Sequence, residues 1–124
     1  MTLINSAREL RVYQKAYENA MEIYQLSKVF PPYEKYDLVS QIRRSSRSVA
    51  ANIIEAWRRR RYPKNFISKL NDSETEADET IFWLDIAKDC KYIQEEKHKE
   101  LVDNYDHILS MLVNMIYRPE KWKM

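Results

Sequence analysis

Apolar residues along this chain recur at alternating spacings of three and four, the signature of one helix face. Leu10, Tyr13, Tyr17, Ala20 and Tyr24 form the first such stripe. Val39, Ile42, Ser46, Val49, Ile53 and Ala56 form the second. The third runs Phe66, Leu70, Ser73, Ala77, Ile81, Leu84 and Lys88, and the fourth Leu101, Tyr105, Ile108, Leu112 and Met115. They predict helices over 7–29, 34–60, 64–91 and 95–117. Ser6-Ala7-Arg8-Glu9 fits a capping box opening the first. Pro31-Pro32 ends it, because proline disfavours helical backbone in the residue before it. Pro63 suits the first turn of the third helix, where its missing N–H costs nothing. Pro119 follows the fourth helix, and residues 120–124 read as a frayed tail from which Trp122 alone has the bulk to dock on the body.

Four helices of roughly 35–40 Å, at about 1.5 Å per residue, are joined by connections of a few residues. Short connections force sequential helices to lie antiparallel. The expectation is an all-α, up-down-up-down antiparallel four-helix bundle, with residues 1–124 as a single domain.

Composition narrows the function classes. The chain has no glycine in 124 residues. Tight β-turns, dinucleotide folds and phosphate loops all use glycine where the backbone needs positive φ or close approach. One cysteine, Cys90, precludes an intramolecular disulfide and reads as a small filler residue. The opening MTLINSAREL lacks the apolar core of a secretory signal, and no apolar stretch approaches the ~20 residues of a membrane span. The expected location is cytoplasmic, with no membrane contact.

The net charge is only +2, but the charge is polarised along the chain. Between residues 43 and 64, seven arginines and one lysine face the single acid Glu55; between 71 and 106, twelve acids face four lysines. Arg58-Arg59-Arg60-Arg61 fan around a helix end with only Glu55 upstream to pair them. Guanidinium forks suit phosphate. The candidate nucleic-acid contacts are therefore Arg43, Arg47, Arg58, Arg59, Arg60, Arg61 and Lys64, with Trp57, Tyr62 and Phe66 as aromatics for stacking on unpaired bases. The same run also complements a helix dipole, and a solvated or subunit-paired patch is the competing reading.

Two apolar residues lie off the seams. Phe82 and Ile86 fall about 160° from Leu84 on a helical wheel, on the wrong side for the core. Val102, Leu109 and Ile116 make a second stripe beside the fourth seam. Either a widened seam covers these groups or a homo-oligomer interface does. On the second helix, Arg44, Ser48, Ala51 and Glu55 line the face opposite Ser46; the small pair admits a close neighbour, and Arg44 and Glu55 offer cross-subunit ion pairs. A solvated outer face accounts for them equally. The candidate interface set is Arg44, Ser48, Glu55, Phe82 and Ile86.

Catalytic and metal chemistry find little support. Glu95-x-x-His98 matches one element of a di-iron bundle, which needs two such elements and two further glutamates. The other histidine, His107, has Asn104 three residues before it. No metal, cofactor or catalytic group is assigned.

The stretch LRVYQKAYENAMEIYQLSKVFP, then YDLVSQIRRSSRSVAANIIEA, then FISKLNDSETEADETIFWLDIAKDCKYI resembles the bacterial family of 23S ribosomal RNA intervening-sequence proteins. Helix two carries the most specific part, with Gln41, Arg43, Arg44, Ser48, Asn52 and Glu55 of the family's residue types; Glu79 and Trp83-Leu84 match the third helix of one branch. The chain has Ala56 and Lys91 where the family commonly has glycine, and Ala50-Ala51 where a proline is often seen. Helices are therefore expected to run on where relatives turn. The resemblance implies a homo-oligomer, a pentameric ring or barrel, and no catalytic site. A more distant similarity is to the accessory variability protein of diversity-generating retroelements, which implies a basic pentamer that binds nucleic acid. Two readings follow: a nucleic-acid-binding (RNA or DNA) accessory protein acting through its arginines, or an oligomeric protein-interaction scaffold whose basic stretch meets a neighbour's acidic helices.

Overall fold

A computed structural model describes residues 4–122. It is all-α: four helices, α1 (Arg11–Ser27), α2 (Leu38–Arg58), α3 (Pro63–Asp89) and α4 (Glu95–Tyr117), with 3₁₀ turns at Ala7–Glu9, Pro32–Glu34 and Pro119–Trp122. No strand occurs among the described residues.

The seams predicted for α2 and α4 are buried at every position. Each large apolar side chain so buried contributes about 1.5–3 kcal/mol. α2 and α3 share the most extensive interface. Small polar side chains let them approach: the Ser73 hydroxyl donates to the Val49 carbonyl at 2.8 Å, and the buried hydroxyls of Ser45 and Thr80 lie 2.9 Å apart. On α3 the seam keeps its phase to Ala77 and then follows Thr80, Leu84 and Ala87, leaving Ile81 and Lys88 half-buried.

The phase predicted for the first helix is wrong. Val12, Ala16, Asn19, Ala20, Ile23 and Ser27 point inward, while Tyr17 is 52% exposed and Tyr13 and Tyr24 are half-buried. The buried polar residue explains the rotation. Asn19 donates to the Lys15 carbonyl and accepts from the Asn104 amide of α4 at 2.9 Å, so its polar groups are satisfied inside. The tyrosines keep a wet edge, as amphipathic rings do.

Helix boundaries also shift. The Ser6 side chain makes no cap hydrogen bond; residues 7–9 form a separate 3₁₀ turn, and Leu10 is extended (φ −71°, ψ 130°) and buried. Glu9 does reach back, but to the Asn5 N–H at 2.6 Å. α2 starts at Leu38 rather than residue 34, after the Pro32–Glu34 turn, and continues through Ala56 to Arg58. α3, expected to run on through Lys91, instead stops. Lys91 adopts φ 65°, its N–H donates to the Lys88 carbonyl, and the Tyr92 N–H donates to the Ala87 carbonyl. That is the Schellman pattern, with lysine in the position glycine normally takes.

Trp122 is no frayed end: its ring meets Trp57 edge-on at 6.3 Å and packs on the core, whereas Lys123 and Met124 lie outside the described residues. Cys90 is exposed at the C-cap of α3, so it fills no core space. Val102, Leu109 and Ile116 are half-buried and pack against the core within the chain.

Candidate nucleic-acid interface

The cationic residues of α2 separate into a lateral group and a terminal group. In the lateral group, Arg43 is half-buried and serves the fold. Its Nε donates to Ser27 Oγ at 2.8 Å and its guanidinium lies 4.7 Å from the Tyr24 ring centre, tying α1 to α2. Arg47 is exposed, its guanidinium 5.8 Å from the centre of the same ring. Arg44 is committed to α3, at 3.2 Å from Glu76 and 2.6 Å from Glu79. The hydrogen bond to Glu79 leads the effects that raise its pKa above the ordinary guanidinium value. Lys35, Tyr36, Arg43, Arg44 and Arg47 border one open groove of about 580 Å³. Tyr36, 81% exposed, presents its ring there with the Lys35 ammonium 5.3 Å from the ring centre.

The terminal group is the corner where α2 gives way to α3. Arg58 ends the helix, Arg59 caps it, and the chain turns through Arg60 and Arg61 to Tyr62 and Pro63. Arg60 folds back: its Nε donates to the Trp57 carbonyl at 2.8 Å and its guanidinium stacks 3.5 Å over the Trp57 ring. Burial, then the charge of Arg58, lowers its pKa. Arg58, Arg59, Arg61 and Lys64 are exposed. Among the described residues, no carboxylate lies within 4.0 Å of Arg43, Arg47, Arg58, Arg59, Arg60, Arg61 or Lys64. Of the basic stretch only Arg44 is ion-paired among the described residues.

The corner carries three depressions, one of which, about 260 Å³, is lined by Arg60, Pro63, Phe66, Pro119, Glu120 and Trp122. Another of about 360 Å³ joins Arg58, Arg59, Arg61, Tyr62 and Asn65. The third, about 280 Å³, lies between the corner and the 3₁₀ turn of residues 7–9, and Arg8 lines it with Arg58, Arg60 and Arg61. Sequence reasoning missed Arg8, which is fifty positions away, and Lys35 and Tyr36, which sit in the connection before α2. Of the three aromatics expected to stack on bases, Trp57 and Phe66 are buried; Tyr62 alone is exposed.

Of the residues expected at an oligomer interface, Arg44 and Phe82 are linked through Glu79 and Trp83. Glu79 Oε1 accepts from Arg44 and, at 3.3 Å, from the Trp83 indole N–H; Trp83 in turn meets Phe82 edge-on at 4.8 Å. Phe82 remains 53% exposed. Ile86 is half-buried against the cluster of Phe30, Leu38, Val39 and Ala87. Ser48 is half-buried, and Glu55 lies 3.6 Å from Lys69 of α3. Arg44 and Glu55 thus find their partners within the chain.

No group of three or more His, Cys, Asp or Glu side chains converges among the described residues; His98 Nε2 sits 2.7 Å from Asp85. None of the described helices is long and apolar enough to cross a membrane.

A model of the 23S rRNA-intervening sequence protein family matches residues 8–114. Among solved structures, the chain is similar to a protein of unknown function from the S23 ribosomal protein family of Bacteroides thetaiotaomicron. The two share 33% identity with a TM-score of 0.78, over 86% of this chain and 95% of that one. No curated protein matches significantly.

Proposed function

The chain belongs to the 23S rRNA-intervening sequence protein family, and from that premise we propose that it is a cytoplasmic, non-enzymatic accessory protein that binds nucleic acid through the arginine surface of α2 and its corner. The observation that carries this reading is the absence of counter-ions. Arg47, Arg58, Arg59, Arg61 and Lys64 are exposed cations that no carboxylate neutralises among the described residues. Phosphates are the ligands such forks suit. The exposed rings of Tyr36 and Tyr62 flank the two arginine groups, as a stacking surface for single-stranded nucleic acid requires. The family name, with its reference to ribosomal RNA, makes RNA the first ligand to test and DNA the second.

The assembly belongs to the same proposal: an up-down-up-down antiparallel bundle forming a homo-oligomer, a pentamer, that repeats the arginine surface. The bundle order is supported by the α2–α3 pairings, in which Glu55, Val49 and Ser45 meet Lys69, Ser73 and Thr80 in reverse sequence. The exposed Phe82 supports self-association. Repetition would raise avidity by effective concentration.

Fluorescence anisotropy with single-stranded RNA and duplex DNA at two salt concentrations tests this. Affinity should fall steeply with salt, the logarithmic slope changing by about 0.7–0.9 per phosphate contact. A variant with Arg58, Arg59 and Arg61 changed to glutamine, leaving the stacked Arg60, should weaken binding to every sequence and flatten the slope by roughly two to three. No binding to either ligand at low salt, with the fold intact by circular dichroism, overturns the reading.

A further inference from the structure

The cleft beneath the first 3₁₀ turn differs from the rest of the arginine surface. Arg8 arrives there from the chain's start, and Arg58, Arg60 and Arg61 from the end of α2, so four arginines line about 280 Å³, Arg60 with its guanidinium stacked on Trp57. None of the four lies within 4.0 Å of a carboxylate among the described residues. Bringing like charges together without counter-ions is unfavourable, and the strain registers at Arg60, whose pKa burial and the charge of Arg58 depress. Asn5, Ser6, Ala7, Ile54 and Trp57 complete the lining, and the Ser6 hydroxyl makes no capping hydrogen bond.

We propose that this cleft binds a terminal phosphate monoester at the end of a nucleic-acid strand. The inference rests on the phosphate-binding reading above and narrows its ligand. Two features favour a terminal monoester over a phosphodiester in mid-strand. A monoester approaches two negative charges near neutral pH, its second pKa being about 6, whereas a diester carries one; four uncompensated cations reward the larger charge. The cleft is also small, at the lower limit of ligand pockets at roughly 300–1,000 Å³. It is walled by residues 5–8 on one side and by the last turn of α2 on the other, so it admits an end group, not a length of strand. The planar forks around it offer bidentate contacts to the monoester's oxygens.

The test uses the full chain and three short RNA oligonucleotides of one sequence, carrying a 5′-phosphate, a 3′-phosphate, or hydroxyls at both ends, each labelled internally. Anisotropy should show one phosphorylated form binding about tenfold tighter than the hydroxyl form, the effect expected of one or two charge-assisted contacts. Which end gains identifies the source of the monoester. Arg8→Gln should reduce that advantage to about threefold or less while hardly changing affinity for the hydroxyl form; Arg8→Lys should retain part of it. Arg8 is exposed and its side chain makes no hydrogen bond among the described residues, so a circular-dichroism melt should match the parent. Equal affinity for all three oligonucleotides overturns the cleft assignment and leaves the wider arginine surface standing. So does an advantage that Arg8→Gln does not touch, or an Arg8→Gln loss equal across the three. Failure of every oligonucleotide to bind overturns both readings together.

Discussion

The hydroxyls of Ser45 on α2 and Thr80 on α3 meet 2.9 Å apart in the buried α2–α3 interface, the most extensive among the described residues. Side chains this small bring the two backbones close, and the hydroxyls satisfy one another where water is excluded. Ser45→Ala should cost about 1 kcal/mol, the net worth of one hydrogen bond. Ser45→Leu should cost more, about 1–3 kcal/mol, because extra methylenes have nowhere to go in a close-packed interface. Urea melts of the two variants check the order; equal losses would mean that the helices are not in close contact there.

Lys91 holds a left-handed conformation at φ 65° to close the Schellman turn after α3. A residue with a Cβ is strained there by about 1–2 kcal/mol, and glycine is not. Lys91→Gly should therefore stabilise the chain by about 1 kcal/mol, raising the melting temperature by roughly 3–6 °C. A lowered melting temperature would show that the turn is not left-handed.

Tyr105 lies at the centre of α4 with its ring fully buried, and its hydroxyl has no hydrogen-bond partner among the described residues. Burial, and then the charge of Glu22, push its pKa well above the usual phenol range. Tyr105→Phe removes an unsatisfied polar atom and keeps the ring. Stability should rise by about 1 kcal/mol, measurable by denaturant melts with an unchanged m-value.

Burial, with Asp78 one turn on, holds the Glu74 carboxyl above its ordinary pKa. The folded state therefore keeps this proton more tightly than the unfolded chain does. Its stabilising effect is present below the unfolded pKa and is lost as pH rises through the folded one. Glu74→Gln should remove that loss and leave a flatter stability profile above the ordinary carboxylate range. The gain at neutral pH should be about 0.2–0.5 kcal/mol, the size of a like-charge pair at this spacing.

Phe82 stands half-exposed beside Trp83, which shares Glu79 with Arg44. If this surface joins subunits, light scattering coupled to gel filtration at micromolar concentration should give a mass several times the 15.1 kDa of one chain. Phe82→Glu should then return the protein to the monomer mass without loss of helicity. A monomer mass for the unaltered protein would remove the homo-oligomer from the proposal.

The helical class, the four helices and the seams of α2 and α4 were all determined by the order of apolar residues, because a period near 3.6 leaves one face to bury. The arginine run was equally plain, since charge needs no partner to be counted. Tertiary contacts decided what periodicity does not encode. The face of α1 turned inward because Asn19 found Asn104 across the bundle, which makes a polar residue cheaper to bury than Tyr17. Trp57 and Phe66 lie buried, so neither offers a free aromatic face, whereas Tyr36 in a connecting segment is exposed. Arg44 was drawn out of the basic stretch by Glu76 and Glu79, and Arg8 was drawn into it from fifty residues away. Sequence spacing records neighbours along one helix; which charges stay free depends on what another helix brings within a few ångströms.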